Sequence, residues 1–195
     1  MAATQMSTRT IVKASEGDKV ISSVAMIVAL VSFGMLFLTL MLGFALFRFT
    51  APVWPPAGMV KPSLLLPLIS TILIAASSFT YNVFEKEVHN GNTDRRYLSA
   101  TLILGLAFMI SQIFFWNQLK MQGILVSSGI YASIIYSFTW IHAAHIVAAL
   151  ALLLWLFSVL NKNEKRTAVK VSNVGKFWHF LGIVWLIMFV TIFVL

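Results

Sequence analysis

The sequence predicts an all-α membrane protein whose single folded domain is a bundle of five transmembrane helices. Hydrophobic residues make up 59% of the 195 residues and charged residues only 10%, against about 25% charged residues in soluble domains. In addition, five stretches without a formal charge are each long enough to cross a hydrocarbon core at about 1.5 Å per helical residue. The chain is too short to hold a second folded domain beside these spans.

The chain divides into a polar tail and a transmembrane domain. Residues 1–19 mix acidic and basic side chains, and no separate apolar run precedes a cleavage site. We therefore expect a retained tail and no signal peptide. The transmembrane domain, 20–195, holds spans at about 20–47, 62–84, 97–119, 129–160 and 177–195.

Turn signals and charge set the boundaries between the spans. The segment 51–62 contains clustered prolines and a glycine that cannot continue a helix, and an Asn-Gly-Asn turn lies at 90–92. No charge occurs from 121 to 161, so an uncharged loop there precedes one long fourth span. We expect residues 161–176 to form a strongly basic loop before the last span.

The basic residues predict the orientation of the bundle. Five crossings place the termini on opposite sides, and cytoplasmic loops carry an excess of lysine and arginine. With the N-terminus inside, eleven of the fourteen basic residues lie on the inner side, and only Arg48, Lys61 and Lys120 on the outer side. We therefore predict a cytoplasmic N-terminus and a periplasmic C-terminus. The net charge of +8 reflects this bias rather than nucleic-acid binding.

Composition excludes several kinds of chemistry. The chain contains no cysteine, which excludes disulfides, thiolate metal sites, iron–sulfur clusters and cysteine nucleophiles. Proton relays and cation carriers usually keep a carboxylate within the membrane. Here the acidic residues all lie in the tail or the predicted inner loops, which speaks against an autonomous proton pump or cation transporter, although backbone carbonyls could still form a channel filter. These residues are Glu16, Asp18, Glu85, Glu87, Asp94 and Glu164.

Four polar residues within the spans are candidates for a functional site: Gln112, His142, His145 and His179. The spacing of three puts His142 and His145 on one helix face, and imidazole is a common ligand of metals and haem. However, His145 lies about 22 Å from the inner end of its span and His179 only about 4 Å from the inner end of the next. A three-histidine site is therefore excluded, while a histidine pair completed by the weak amide ligand Gln112 remains open.

A structural role is the alternative for these residues. Gln112 lies about 22 Å above the inner end of its span, which is the level of His145. Buried amide and imidazole groups need partners, and a hydrogen bond between membrane helices is worth about 0.6–2 kcal/mol. We therefore predict that Gln112 hydrogen-bonds His142 or His145 and joins the third span to the fourth.

Aromatic and basic residues near the span ends are candidates for interface anchors or lipid contacts. Amphipathic rings suit the headgroup level of a membrane. Paired arginines at the inner end of the third span suit lipid phosphates, with a solvated basic loop as the alternative. The candidates are Trp54, Arg95, Arg96, Trp178, His179 and Trp185.

Short segments distributed along the chain form a recognisable set. They are Trp54-Pro55-Pro56 with Gly58 in the first loop, Ser77-Ser78 with Thr80 in the second span, Gln112 in the third, His142 with His145 in the fourth, and Phe177-Trp178-His179-Phe180 with Val184-Trp185 in the last. In this order, over about residues 20–195, they resemble subunit III of the haem–copper terminal oxidases, in its five-helix bacterial form.

The resemblance implies a subunit without redox centres in the bacterial inner membrane. Its partners would be the catalytic subunit I, which holds the haems and copper and reduces oxygen to water with proton translocation, and other oxidase subunits. In the family this subunit supports proton uptake, protects the complex against inactivation during turnover and holds phospholipids in a cleft. Whether such an oxidase joins a larger respiratory supercomplex stays open.

Two positions depart from the family pattern. The family often carries a glutamate in the helix corresponding to the first span, where residues 33–47 offer only the hydroxyl of Thr39. It also usually has an aspartate three residues after the last histidine, where this chain has Gly182. Roles of those carboxylates do not carry over to this chain.

Three other functions are kept as alternatives. One is subunit III of a quinol oxidase, because the site of the electron donor lies on other subunits. The others are a stand-alone transporter or channel, and a membrane metalloenzyme that uses His142 and His145.

Overall fold

The computed structural model describes residues 2–54, 62–92, 94–160 and 164–194, with the side chains of residues 2–16, 18, 19 and 164–166 left aside. Within these ranges each long helix has a stretch apolar and long enough to cross a membrane, which confirms the predicted five-helix membrane bundle. The predicted loop residues Pro55, Pro56 and Gly58 lie outside the described residues. The helices are α1, Ala2–Thr50; α2, Leu65–His89; α3, Arg95–Met121; α4, Ile130–Val159; and α5, Glu164–Met188, followed by a π-helical segment, Phe189–Val194.

Three of the helices extend beyond the spans expected from hydropathy. Helix α1 begins at Ala2, so residues 2–19 continue the helix of the first span. Helix α2 runs on to His89, and α5 begins at Glu164. The predicted loop at 161–176 is therefore wrong from residue 164 onward. Hydropathy identifies only the part of a helix that lies within the membrane. Residues that favour a helix, such as Glu, Lys, Arg and Ala, let the helix continue into water.

Helices α2 and α3 form an antiparallel hairpin with a short connection. The last turn of α2 is closed by Gly91, whose φ of 83° favours glycine, and by a bond from the Asn92 amide to the Glu87 carbonyl at 2.9 Å. The Asp94 side chain then accepts a hydrogen bond from the Arg96 amide and caps the start of α3. Because the connection is so short, α2 and α3 pack side by side along their length.

The link between α3 and α4 is longer and ordered. Helix α3 ends in the same glycine motif, with Gly123 at a φ of 75° and the Ile124 amide bonded to the Leu119 carbonyl at 3.0 Å. A 3₁₀ turn at Val126–Ser128 follows. The Tyr136 hydroxyl donates to the Ile124 carbonyl at 3.0 Å and fastens the link to the first turns of α4.

Helix α5 is the centre of the bundle. Its backbone lies next to the backbones of α1, α2 and α4, and its Trp185 side chain packs against Phe108 of α3. Half of the residues in its most apolar stretch are buried (50%), against 6% for α1, which lies at the edge with large apolar side chains exposed. Six of the buried residues of α5 recur at helical spacing: Val171, Val174, Trp178, Leu181, Trp185 and Met188.

Packing and hydrogen bonds, rather than exclusion of water, hold these helices together. In lipid an exposed apolar side chain is already in an apolar solvent, so its burial in the bundle gains little transfer energy. Close contact therefore matters, as at Gly105 of α3, where the indole of Trp178 occupies the space that a side chain would need.

Candidate functional site

Gln112 faces α2 rather than α4. Its Nε2 donates to the Ser70 hydroxyl at 2.9 Å, and Ser70 is also hydrogen-bonded to the Ser111 hydroxyl at 2.6 Å. All three side chains are buried. The predicted hydrogen bond from Gln112 to His142 or His145 is therefore wrong: the amide joins α2 to α3, and the Gln112 Oε1 atom has no partner among the described residues.

Further polar contacts extend this interface towards the α2–α3 connection. The Ser77 hydroxyl donates to the Thr101 carbonyl at 3.1 Å, and the Thr80 and Thr101 hydroxyls are 2.9 Å apart. In the other direction Gln118 donates to Ser63 at 2.7 Å. These bonds fix the position of α2 along α3, because a shift of either helix would break all of them together.

The contact between α3 and α4 uses a residue that the sequence reasoning did not select. The Trp116 Nε1 atom donates to the Thr139 hydroxyl at 3.0 Å. This bond serves the role predicted for Gln112. An indole and a threonine give no distinct signal in the sequence, since each is common in membrane helices.

His142 is enclosed by aromatic rings from three other helices. Its ring centroid lies 6.1 Å from that of Phe37 in α1, 6.0 Å from Phe108 in α3 and 5.5 Å from Trp185 in α5. The side chain is 1% exposed, and neither ring nitrogen has a partner within the described part of the chain. These three aromatic rings offer no metal-ligand atoms, so they suit a packed imidazole better than a coordinating one.

His145 lies on the same side of α4 but has different neighbours. Its Nδ1 is 2.7 Å from the Ile141 carbonyl one turn earlier, and its ring contacts Phe33 and Phe37 of α1 at 4.6 and 5.5 Å. Among the described residues, no three His, Cys, Asp or Glu side chains come close enough to hold a metal ion together. Both histidines instead form the packing surface for α1.

Trp178 and Trp185 lie in the core and not at the lipid surface. Both are fully buried, with 0% exposure. Trp185 stacks edge to face with Phe108 at 5.0 Å and donates from Nε1 to the Thr71 hydroxyl at 3.0 Å. The predicted roles as interface anchors or lipid contacts are wrong for these two residues, because they project from the face of α5 that its neighbours cover.

The other candidates for the interface lie nearer the surface. Trp54 is half-buried between Phe44 and Tyr131, with centroid distances of 5.6 and 5.1 Å, and so connects the end of α1 to the start of α4. Arg95 and Arg96 are exposed at the start of α3, and the Arg96 side chain is 91% exposed and 4.0 Å from Asp94. Their contact with lipid stays a prediction.

His179 belongs to the contact between α2 and α5. Its ring meets Tyr81 edge to face at 5.9 Å, and the Tyr81 hydroxyl donates to the Val171 carbonyl of α5 at 2.7 Å. The sequence reasoning did not select Tyr81, although a tyrosine near the end of a span needs a partner for its hydroxyl when buried.

His179 also lines a groove that opens on the surface between α2 and α5. The groove encloses a cavity of about 400 Å³. We call it the α2–α5 groove and define it by Ile74, Ala75, Ser78, Phe79, Asn82, His179, Gly182, Ile183 and Leu186.

Comparison with known proteins identifies the family. The family model described as cytochrome c oxidase subunit III matches residues 10–195. A cytochrome c oxidase subunit 3 of Synechocystis is 26% identical over 171 residues, which is 85% of this chain and 72% of the relative. One from Corynebacterium diphtheriae is 33% identical over 130 residues, 65% of this chain and 63% of the relative. A probable cytochrome c oxidase subunit 3 of Mycobacterium leprae is 31% identical over 144 residues, which is 72% of this chain and 70% of the relative.

The family-model match reaches all five helices, and the comparisons confirm the resemblance seen in the sequence segments. The chain belongs to the cytochrome c oxidase subunit III family.

Proposed function

We propose that this chain is the accessory subunit III of a bacterial cytochrome c oxidase, and that it leaves electron transfer and oxygen reduction to partner subunits. The observation that supports this most directly is the nature of the buried polar groups. Among the described residues they are Ser, Thr, Gln, Asn and His side chains, without a buried Asp, Glu, Lys or Arg. A protein that moved protons or cations by itself would usually keep a carboxylate within the membrane.

The partner assignment follows from the family. As an oxidase subunit III, the chain assembles with other oxidase subunits such as subunit I. The relatives carry cytochrome c in their names, which favours cytochrome c over a quinol as electron donor of the complex. The chain's own contribution would be to stabilise the complex during turnover and to support proton uptake, together with bound phospholipid.

The location proposed is the bacterial inner membrane, with the N-terminus in the cytoplasm. Five apolar helices in a family of oxidase subunits point to a multi-pass membrane protein, and the three relatives named above are bacterial. The excess of basic residues on the predicted inner side supports the orientation.

Purification from native membranes tests the proposal. A tagged chain should co-purify with a haem-bearing partner, and the chain expressed alone should show no haem absorption. Oxidase activity of the complex should decline faster during turnover when the chain is deleted. Recovery of the chain free of haem-bearing partners, or ion transport by liposomes that hold only this chain, would contradict the proposal.

A further inference from the structure

The turn that joins α2 to α3 places an exposed asparagine directly before an exposed glycine. Asn90 closes α2, and Gly91 follows it with a φ of 83°. Of the seven asparagines in the sequence, Asn90 alone precedes a glycine. A Cβ built on Gly91 would meet nothing within 4 Å, so no other part of the described chain covers this pair of residues.

This pair is the arrangement in which an asparagine carboxamide is chemically least stable. Asparagine is among the heat-labile residues of proteins, because the amide nitrogen of the next residue can attack its side-chain carbonyl carbon. A side chain on that next residue hinders the attack, and glycine has none. Asn82 and Asn173, in contrast, lie inside α2 and α5 and are each followed by valine.

Water also reaches the Asn90 carboxamide. Asn90 lines a cavity of about 480 Å³ whose other walls are Asn82, Glu85, Lys86 and His89. A cavity lined by charged and polar groups holds water. The carboxamide and the water that would replace its nitrogen are therefore in one place.

The folded turn holds the backbone away from the reactive geometry. Asn90 has a ψ of 3°, which turns the Gly91 nitrogen away from the Asn90 side chain. The Gly91 amide donates to the Val88 carbonyl at 3.2 Å, and the Asn92 amide donates to the Glu87 carbonyl at 2.9 Å. Both bonds must open before the Gly91 nitrogen can approach Cγ of Asn90, and such opening costs least at the end of a helix.

We propose that Asn90 is a site of spontaneous deamidation, and that opening of the last turn of α2 sets its rate. In the opened turn the Gly91 nitrogen loses its proton to a base in water and attacks Cγ of Asn90. A C–N bond forms, the bond from Cγ to Nδ2 breaks, and ammonia leaves a cyclic imide. Water then opens the imide at either carbonyl, giving aspartate or isoaspartate. One water is consumed and one ammonia is released, without an oxidant.

The product weakens the connection between α2 and α3. Its carboxylate lies at the C-terminal end of α2, where the free carbonyl groups already carry negative partial charge. In isoaspartate the main chain also runs through the former side-chain carbon and is longer. The amides of Gly91 and Asn92 are then displaced from their acceptors in α2.

Ageing of the protein in heavy-oxygen water tests the site. The oxidase complex that contains the chain is incubated at mildly alkaline pH, and its peptides are analysed by mass spectrometry with fragmentation that separates isoaspartate from aspartate. Asn90 should gain a heavy oxygen, while Asn82 and Asn92, followed by valine and threonine, should not. An unchanged Asn90 after a synthetic peptide of residues 84–96 has fully converted would overturn the proposal.

A matched pair of substitutions tests the control by the turn. The Glu87 side chain accepts a hydrogen bond from Asn92 Nδ2 at 2.9 Å and braces the turn. Glu87→Ala removes this bond, whereas Glu85→Ala removes the same charge from the wall of the cavity. Deamidation should be about two- to tenfold faster in Glu87→Ala than in Glu85→Ala, the range expected for one hydrogen bond. Equal rates in the two variants would show that the turn does not control the reaction.

The folded complex is also compared with the peptide. Two backbone hydrogen bonds must open in the complex, so Asn90 should react about 5- to 100-fold more slowly there than in the peptide. Equal rates would contradict the role of the turn.

Hydrogen exchange tests the consequence of the reaction. Asn90→Gln is the control, because glutamine keeps the carboxamide but would have to close a larger and less favourable ring. After ageing, the amides of residues 88–92 should exchange faster in the wild type than in Asn90→Gln; equal exchange would refute the weakened connection. The reaction requires only the turn and water, so this inference goes beyond the subunit assignment and does not depend on it.

Discussion

At Gly105 of α3 there is no room for a side chain between α4 and α5, and Gly105→Ala tests the packing of the bundle. A Cβ built on Gly105 would lie 2.7 Å from Cη2 of Trp178 in α5 and 2.9 Å from Cδ2 of Leu150 in α4. The Leu150 methyl group can move, but the indole is rigid and fully buried. Overpacking of this kind typically destabilises by about 1–3 kcal/mol.

The matched control is Gly43→Ala in α1, where a Cβ would meet nothing within 4 Å. Both substitutions gain the same helix propensity, so the difference between their free energies of unfolding measures the effect of the steric clash. We expect the free energy of unfolding, measured by SDS titration in mixed micelles, to be about 1–3 kcal/mol lower for Gly105→Ala than for Gly43→Ala.

A double-mutant cycle shows whether Trp178 is the cause. Trp178→Phe removes the two indole atoms nearest Gly105 and breaks no hydrogen bond, because the indole nitrogen has no partner among the described residues. Gly105→Ala should therefore cost at least about 1 kcal/mol less in the Trp178→Phe background than in the wild type. If the two alanine variants agree within about 0.5 kcal/mol, or if the cycle shows no coupling, the packing described at this position is wrong.

Three further predictions concern the polar contacts and the orientation. Ser70→Ala should lower stability by about 1–2 kcal/mol by SDS titration, since it leaves the Gln112 amide buried without its partner, and adding Gln112→Leu should restore most of the loss. No recovery would show that the amide has another partner. Tyr81→Phe should cost about 0.5–1.5 kcal/mol in the same assay, because a bond between α2 and α5 is lost; an unchanged stability would contradict that bond. Since the chain has no cysteine, Asn92→Cys should react with a membrane-impermeant maleimide only from the cytoplasm, and Val126→Cys only from outside; the reverse pattern would invert the proposed orientation.

The number of spans was predictable because lipid imposes one simple demand. Each crossing needs about twenty apolar residues, whatever the helix packs against. The ends of the helices were less predictable, as α5 shows. Its first turns, from Glu164, contain charged residues that favour a helix but not a membrane, so hydropathy alone placed the start thirteen residues too late, at Phe177.

Depth along a helix could be estimated from the sequence, but direction around it could not. Gln112 and His145 were placed at one level by counting residues, yet Gln112 points to α2. The short connection between α2 and α3 was a better guide, because it determines which residues of the two helices lie opposite each other. Ser70 lies twenty-one residues before Gly91, and Gln112 lies twenty-one after it, so the two are opposite each other in an antiparallel hairpin.

Trp178 and Trp185 show that the sequence also does not tell which face of a helix is covered by its neighbours. Tryptophan near the start of a span suggests a membrane interface, but the interval of seven residues also places both rings on one face of the helix. That face is buried because α5 has neighbours on several sides. Hydropathy carries no information about how many neighbours a helix has, so the sequence could not decide between the two.

The central position of α5 has a consequence for how the protein is made. The ribosome produces this helix after the other four, yet α1, α2 and α4 all rest against it. During synthesis the α2–α3 hairpin can close early through its own hydrogen bonds. Helix α4 can dock on α3 through the bond from Trp116 to Thr139, but the contacts of α1, α2 and α4 with α5 form only after the final segment inserts.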